Sequence, residues 1–225
     1  MIAQRLKYAV DFDGEDDKIT IKDSQSFDSI TSEITIIAWI WFRDPSAYNY
    51  QRIVCKSWSA WNPWTIWIYN NRSVLFTITS GGTNYYMITS NTVKHRDWSF
   101  LACVFDGDLH VCIDFKWEHK TIRVSGIDTN DLDVVIGNWG RGDRPFNGLI
   151  AHISIYNRAL TESEIKWNYK NPDNIITDGL VLWLDARTFY PSTGKWYDLS
   201  KYNNNGTAYG GVNKVRLVEE EVIMK

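Results

Sequence analysis

The sequence predicts an all-β sandwich of two antiparallel sheets with one short helix. Three observations predict it. Its apolar runs are short and alternate with polar residues, β-branched and aromatic residues dominate them, and turn residues separate them. Many short strands in such an order belong to sandwiches and jelly rolls. The chain has 225 residues, 44% of them hydrophobic and 23% charged, enough to bury a core without disulfide staples.

The strands follow in order. "KITIK" (18–22), "EITIIAWIWF" (33–42), "TIWIY" (65–69), "SVLFTIT" (73–79) and "YYMIT" (85–89) come first. "SFLACVF" (99–105), "LHVCIDF" (109–115), "KTIRV" (120–124), "DVVIG" (133–137) and "LIAHISIY" (149–156) follow. Asn70-Asn71, Gly81-Gly82, Asp106-Gly107-Asp108 and the run 140–143 supply turns between them. One helix interrupts the pattern. Thr161 with Glu164 three residues on forms a capping box, in which each satisfies a backbone amide of the other's end. Ile165 and Tyr169 share its apolar face with Trp167 or Asn168, and the helix is expected to end near Asn171-Pro172 and to plug the sandwich end. After a connector, "LVLWLDA" (180–186) and "WYDLS" (196–200) read as strands and Asn205-Gly206 as a tight turn. This tail is too short and loop-rich for a domain of its own.

The net charge of −3 argues against sequence-independent nucleic-acid binding, which needs a basic face. No apolar run approaches a membrane span, so no membrane insertion is expected, and "MIAQRLKYAV" has no secretory apolar region. That leaves export by another route, or a piece of a larger surface protein. Cys55, Cys103 and Cys112 are odd in number and lack metal-knuckle spacing. Cys103 and Cys112 flank a hairpin signal, and they read as small buried hydrophobes.

Several stretches together are similar to a known family. "YAVDFDGEDDKITI" (8–21), "ITIIAWIWF" (34–42), "IVCKS" (53–57), "RDWSFLACVFDGDLHVCIDF" (96–115) and "FNGLIAHISIYNRALTESEI" (146–165) resemble, in order, the laminin G-like jelly rolls of the concanavalin A-like lectin/glucanase superfamily. The last stretch is the most specific. The resemblance implies a concanavalin A-like jelly roll with its core in residues 8–170. The tail, "GLVLWLDA" through "YNNNGTAYGGV", resembles the segment that normally precedes the "DFDG" strand. Either it begins a second repeat, or residues 178–218 complete the same sandwich in circularly permuted order, within the chain or swapped into a neighbour. An unpaired apolar strand would aggregate, which favours completion and a single domain over 1–225.

The resemblance admits both lectins and glucanases. A retaining glycosidase needs two facing carboxylates. The nearest pair, Asp114 and Glu118, straddles a predicted hairpin turn, so no enzyme is expected. Many laminin G-like domains hold one calcium on the "DFDGEDD" loop, which points to Asp13, Asp16 and Asp17 as metal ligands. An acidic pair that helps in the family is replaced here by Ala151 and His152. For ligand binding, Trp58 and Trp61 fall on a loop between strands, where indoles suit the apolar face of a sugar or a protein partner. Trp64 and Trp67 read as structural. Trp139, Arg141, Asp143 and Arg144 form a Gly-bounded loop of glycan-recognition type, and Tyr85 with Tyr86 extends the aromatic face. The tripeptide 141–143 matches an integrin motif only at chance level.

These residues lead to a non-catalytic recognition module for a glycan or glycoprotein surface, located extracellularly or on a cell or virion surface. The alternative is a structural or adhesion subunit of a virus particle or cell envelope, assembled as a homo-oligomer or larger array, and a polysaccharide-degrading enzyme ranks third.

Overall fold

The structure is a computed structural model describing residues 6–43, 50–56 and 62–217. Trp58 and Trp61 lie outside the described residues. Strands β1 (Tyr8–Asp13), β2 (Lys18–Ile21), β3 (Ile34–Phe42) and β4 (Tyr50–Lys56) open the chain, with a one-turn helix α1 (Gln25–Asp28) after β2. Then come β5 (Trp64–Tyr69), β6 (Ser73–Ser80), β7 (Thr83–Thr92), β8 (Trp98–Phe105), β9 (Leu109–Ile113) and β10 (Lys116–Lys120). Strands β11 (Val134–Ile136) and β12 (Asn147–Tyr156) precede helix α2 (Glu162–Lys170). The tail supplies β13 (Leu180–Tyr190), β14 (Lys195–Asp198), β15 (Gly206–Tyr209) and β16 (Asn213–Arg216).

One hydrogen-bonded path runs β10-β9-β8-β3-β12-β13-β14-β15-β2-β11-β4-β5-β6-β7, with β1 joining β12 and β16. The path doubles back at β13. Its first half pairs β12 and its second half pairs β14, with a register shift between Leu184 and Phe189. A bulge there turns the strand from one layer into the other. The core lies between the layers: Ile36, Leu101, Val111 and Ile155 from one meet Ile19, Val134, Ile66 and Phe76 from the other. Alternation sorts each strand, so Ile36 and Ala38 face the core while Ile37 and Trp39 face outward. A second bulge, between Ile150 and His152, shifts the parity of β12 so that Ile150, Ile153 and Ile155 all reach the core.

The outward face of the first layer is not bare. Helix α2 lies across it rather than plugging an end: Tyr169 stacks on Trp39 at 5.1 Å and meets Phe100 edge-on at 5.1 Å. Outward-facing Trp39 and Phe100 offer apolar surface there, and α2 covers it. Of the two candidates for its buried face, Asn168 is inside and Trp167 is 47% exposed. Asn168 is tied down by Tyr156 Oη and the Ile176 amide. The capping box of Thr161 and Glu164 is formed.

Two expected elements differ. Residues 121–124 follow β10 as a loop, because Asp108 accepts from the Ile122 and Arg123 amides and competes with strand pairing. Asn205-Gly206 is not the turn. The reversal from β14 into β15 takes the whole loop 199–205 and Gly206 starts β15; the next turn falls at Gly210, which has φ +84°. Cys103 and Cys112 sit one register apart on opposite faces, and all three cysteines are free and buried. Burial pushes the Cys112 thiol up to about 12, so it is inert at neutral pH.

The tail pairs with the rest of the chain at three places. β13 pairs β12, β15 pairs β2, and β16 pairs β1.

Candidate functional site

The second layer has an outward face as aromatic as its inner one. On β5, Trp64, Ile66 and Ile68 point into the core, so Thr65, Trp67 and Tyr69 point away. On β6, Val74 and Phe76 face inward and Leu75 and Thr77 outward. On β7, Met87 faces inward and Asn84, Tyr86 and Ile88 outward. With Tyr50 and Arg52 of β4, Asn62, and Trp139 and Arg144 from the loop after β11, these side chains line a groove of about 450 Å³. That is the size range of small-ligand sites.

A stack of alternating rings and guanidinium groups builds one wall. Arg144 lies 4.5 Å over the Tyr50 ring, Tyr50 stacks on Trp67 at 5.0 Å, and Trp67 lies 4.2 Å from the Arg52 guanidinium. Arg52 in turn sits 4.8 Å from Trp139, which carries Arg141 at 5.4 Å on its ring. Register explains the centre: Arg52 on β4 pairs directly with Trp67 on β5. Arg52 is only 2% exposed. Its burial lowers its proton affinity, yet a guanidinium stays charged at neutral pH. Two indole faces therefore hold a desolvated cation, a favourable cation–π arrangement. Thr65 Oγ1 joins the two partners, accepting from Arg52 Nη1 at 3.1 Å and Trp67 Nε1 at 2.7 Å. Arg144 donates to Tyr50 Oη at 3.0 Å and pairs with Asp143 at 3.5 Å. Two buried polar atoms lining the groove, Arg52 Nε and Asn62 Oδ1, have no hydrogen-bond partner among the described residues.

Of the residues read from the sequence, Trp139 lines the groove and Arg141 and Asp143 flank it. Tyr85 does not belong to it. It packs against the core, and its neighbour Tyr86, 50% exposed, takes the groove position. Strand parity separates the two. Trp67 serves the groove rather than the core. Tyr50, Arg52, Trp67 and Tyr69 were not expected in a site. Their signal was the aromatic residues at odd positions of β5, opposite an equally apolar even set.

Asp114 and Glu118 do not face each other across a groove. Asp114 and Phe115 form the β9–β10 turn with φ 49° and 66°. Glu118 instead accepts from the Ser90 and Asn91 amides of β7. Asp13, Asp16 and Asp17 do come together, with ligand oxygens all within 4.8 Å of one another. Asp17 is buried; its Oδ2 accepts from the Asp13 amide at 2.9 Å and its Oδ1 from the Gly211 amide at 2.5 Å. Burial, with repulsion from Asp13 and Asp16, holds its carboxyl above the usual range despite those amides. A Cβ at Gly210 would fall 2.5 Å from Asp17 Oδ1 and 2.9 Å from Asp16 Oδ1, so glycine keeps the space beside both open. Three hard oxygens around such a space fit a calcium ion in type, though it needs six to eight oxygens in all. His152, where the family would place an acid, is buried beside Trp183 and supplies none. Asn138 links this loop to the groove: it donates to the Asp17 carbonyl at 3.5 Å and accepts from the Trp139 and Arg144 amides.

A family model described as the concanavalin A-like lectin/glucanases superfamily matches residues 13–166. The chain belongs to this superfamily. Its fold recurs in solved members and relatives. A protein from Bacteroides ovatus ATCC 8483, provisionally described as carbohydrate binding, superposes with TM-score 0.70 at 19% identity. That match covers 94% of this chain, which spans 60% of the length of the Bacteroides protein. The native heptameric SAP-like pentraxin of Limulus polyphemus gives TM-score 0.61 at 14% identity, over 94% of this chain and 95% of the pentraxin. Domains LG4-5 of the mouse laminin alpha1 chain give 0.53 at 12% identity, over 69% of this chain and 44% of theirs. No curated protein sequence matches the chain. Within this concanavalin A-like fold, the groove lies on the outward face of the second layer.

Proposed function

We propose that the chain is a non-catalytic glycan-binding module whose ligand lies in the β4–β7 groove. The observation that carries this reading is the ring-and-guanidinium stack from Arg144 to Arg141 beside exposed Tyr86. Flat rings meet the CH faces of sugars, and guanidinium forks meet their oxygens. The groove's lining among the described residues includes no carboxylate, which suits binding rather than the paired acids of a glycosidase. Arg144 at the groove's rim adds a guanidinium fork that suits sugar hydroxyl and carboxylate oxygens. A shallow groove binds weakly per copy, so attachment draws on several copies, and its glycans belong to cell, polymer or virion surfaces. When calcium is bound, Asp13, Asp16 and Asp17 would hold it, and it would supply fixed charge and rigidity beside Asn138.

The test is a glycan array with wild type and two variants, Trp67→Ala and Tyr86→Ala. Each ring truncation is expected to weaken binding at least about tenfold, or about 1.4 kcal/mol. Binding that ignores both substitutions, or no binding to any glycan, overturns the reading.

A further inference from the structure

The β9–β10 hairpin carries a second constellation, independent of the groove. The two strands pair so that His110 lies directly across from His119. Their Nδ1 atoms are 2.6 Å apart and their ring centroids 4.9 Å. On its other side, His110 Nε2 lies 2.9 Å from Asp106 Oδ1. An ionised carboxylate only accepts, so His110 carries its proton on Nε2 and leaves a lone pair on Nδ1. His119 then donates its Nδ1 proton to that lone pair. Trp117 lies parallel to the His119 ring, at 6° and 6.0 Å. Two imidazole nitrogens thus converge, one of them oriented by a carboxylate on its far nitrogen. Protein metal sites orient their histidines this way.

We propose that His110 and His119 bind a divalent transition ion of the imidazole-preferring class, through both Nδ1 atoms, with Asp106 as the positioning residue. Metal–nitrogen bonds of about 2.0–2.1 Å at square or tetrahedral angles set the nitrogens roughly 2.9–3.4 Å apart. The rings must therefore separate by less than about 1 Å, which exposed His119 achieves by turning on the hairpin surface. Its Nδ1 proton passes to Nε2 through solvent, so the ring's proton count is unchanged and binding needs no co-reactant. Two protein ligands leave the other positions to water or to an incoming group. Calcium and magnesium are excluded by ligand type, since both prefer oxygen. The competing account is a cross-strand hydrogen bond that only ties the hairpin, and it makes no demand on metal.

The chain's other two histidines simplify the test. His152 is buried, and His95 is bonded through Nε2 to the Arg43 carbonyl. Titration calorimetry of tag-free protein with ZnCl₂ and NiCl₂ near neutral pH is expected to give one site per chain, with Kd roughly 1–100 µM. His110→Gln and His119→Gln should each weaken it at least about tenfold, and His95→Gln should leave it unchanged. Asp106→Asn should weaken it about tenfold or more. Electron paramagnetic resonance of unmodified protein with Cu²⁺ should show two equatorial nitrogens, a readout that no variant's folding affects. No binding below about 1 mM, binding that survives both histidine variants, or a copper spectrum without nitrogen coupling overturns the proposal.

Discussion

Arg52 holds the groove together because it cannot be left alone in the place it occupies. A buried guanidinium needs something to replace water, and here two indole faces and one hydroxyl do so. His152 meets the same demand differently. It is 2% exposed, its Nδ1 has no hydrogen-bond partner among the described residues, and burial lowers its pKa from 6.5 to about 4. It is therefore neutral in the fold and charges more readily when unfolded. Stability is fully present above pH 6.5, falls as pH drops below that, and has lost this contribution by about pH 4. The full loss is about 3 kcal/mol. Denaturant melts at pH 7.5 and 4.5 should show it, and His152→Gln should flatten that difference; an equal drop in the variant would assign the effect elsewhere. At this scale the sequence was legible in type rather than in direction. Trp139 was read as a ligand residue from its glycine-bounded loop, and it lines the groove. Tyr85 and Tyr86 read alike from the sequence, because alternation separates the two faces of a strand but does not say which face meets the core; only Tyr86 reaches the groove.

Among elements, α2 was the most legible. Its start is written in two side chains, Thr161 and Glu164, that interact locally. Arg158 reinforces the box by pairing with Glu164, holding that carboxyl at about 2, so the cap stays charged well into acid. Thr161→Ala is expected to cost about 1 kcal/mol and lower Tm by about 2–4 °C, measured by thermal melts. A change under half a degree would mean that α2 is held by packing alone. Where α2 docks was not legible, since that depends on Trp39 and Phe100 facing outward, a matter of which layer covers which. Helix α1 escaped notice because four residues give no periodicity. The loop at 121–124 looked like a strand because its β-branched residues carry the right propensity. Asp108, fourteen and fifteen residues before the two amides it takes, decides otherwise.

Across the whole molecule, the acidic loop and the tail are one joint. Asp17 accepts from Gly211, and Gly210 lies against Asp16 and Asp17, so a cation held there would brace the β15–β16 turn as well as the loop of Asn138. Calcium at about 10 mM is expected to raise Tm by several degrees, an excess of chelator to reverse it, and Asp16→Asn to remove the response. A melt indifferent to calcium would show that amides alone satisfy these carboxylates. The pairing of distant segments was legible only through similarity, because nothing local in "NKVR" announces that it pairs with "YAVD". That pairing has an architectural outcome. The Leu217 amide donates to the Lys7 carbonyl at 2.9 Å, so the first and last described segments of the sandwich meet at one spot. A body with entrance and exit side by side can be spliced into a surface loop of a host protein like a bead on a folded thread, without prying the host apart.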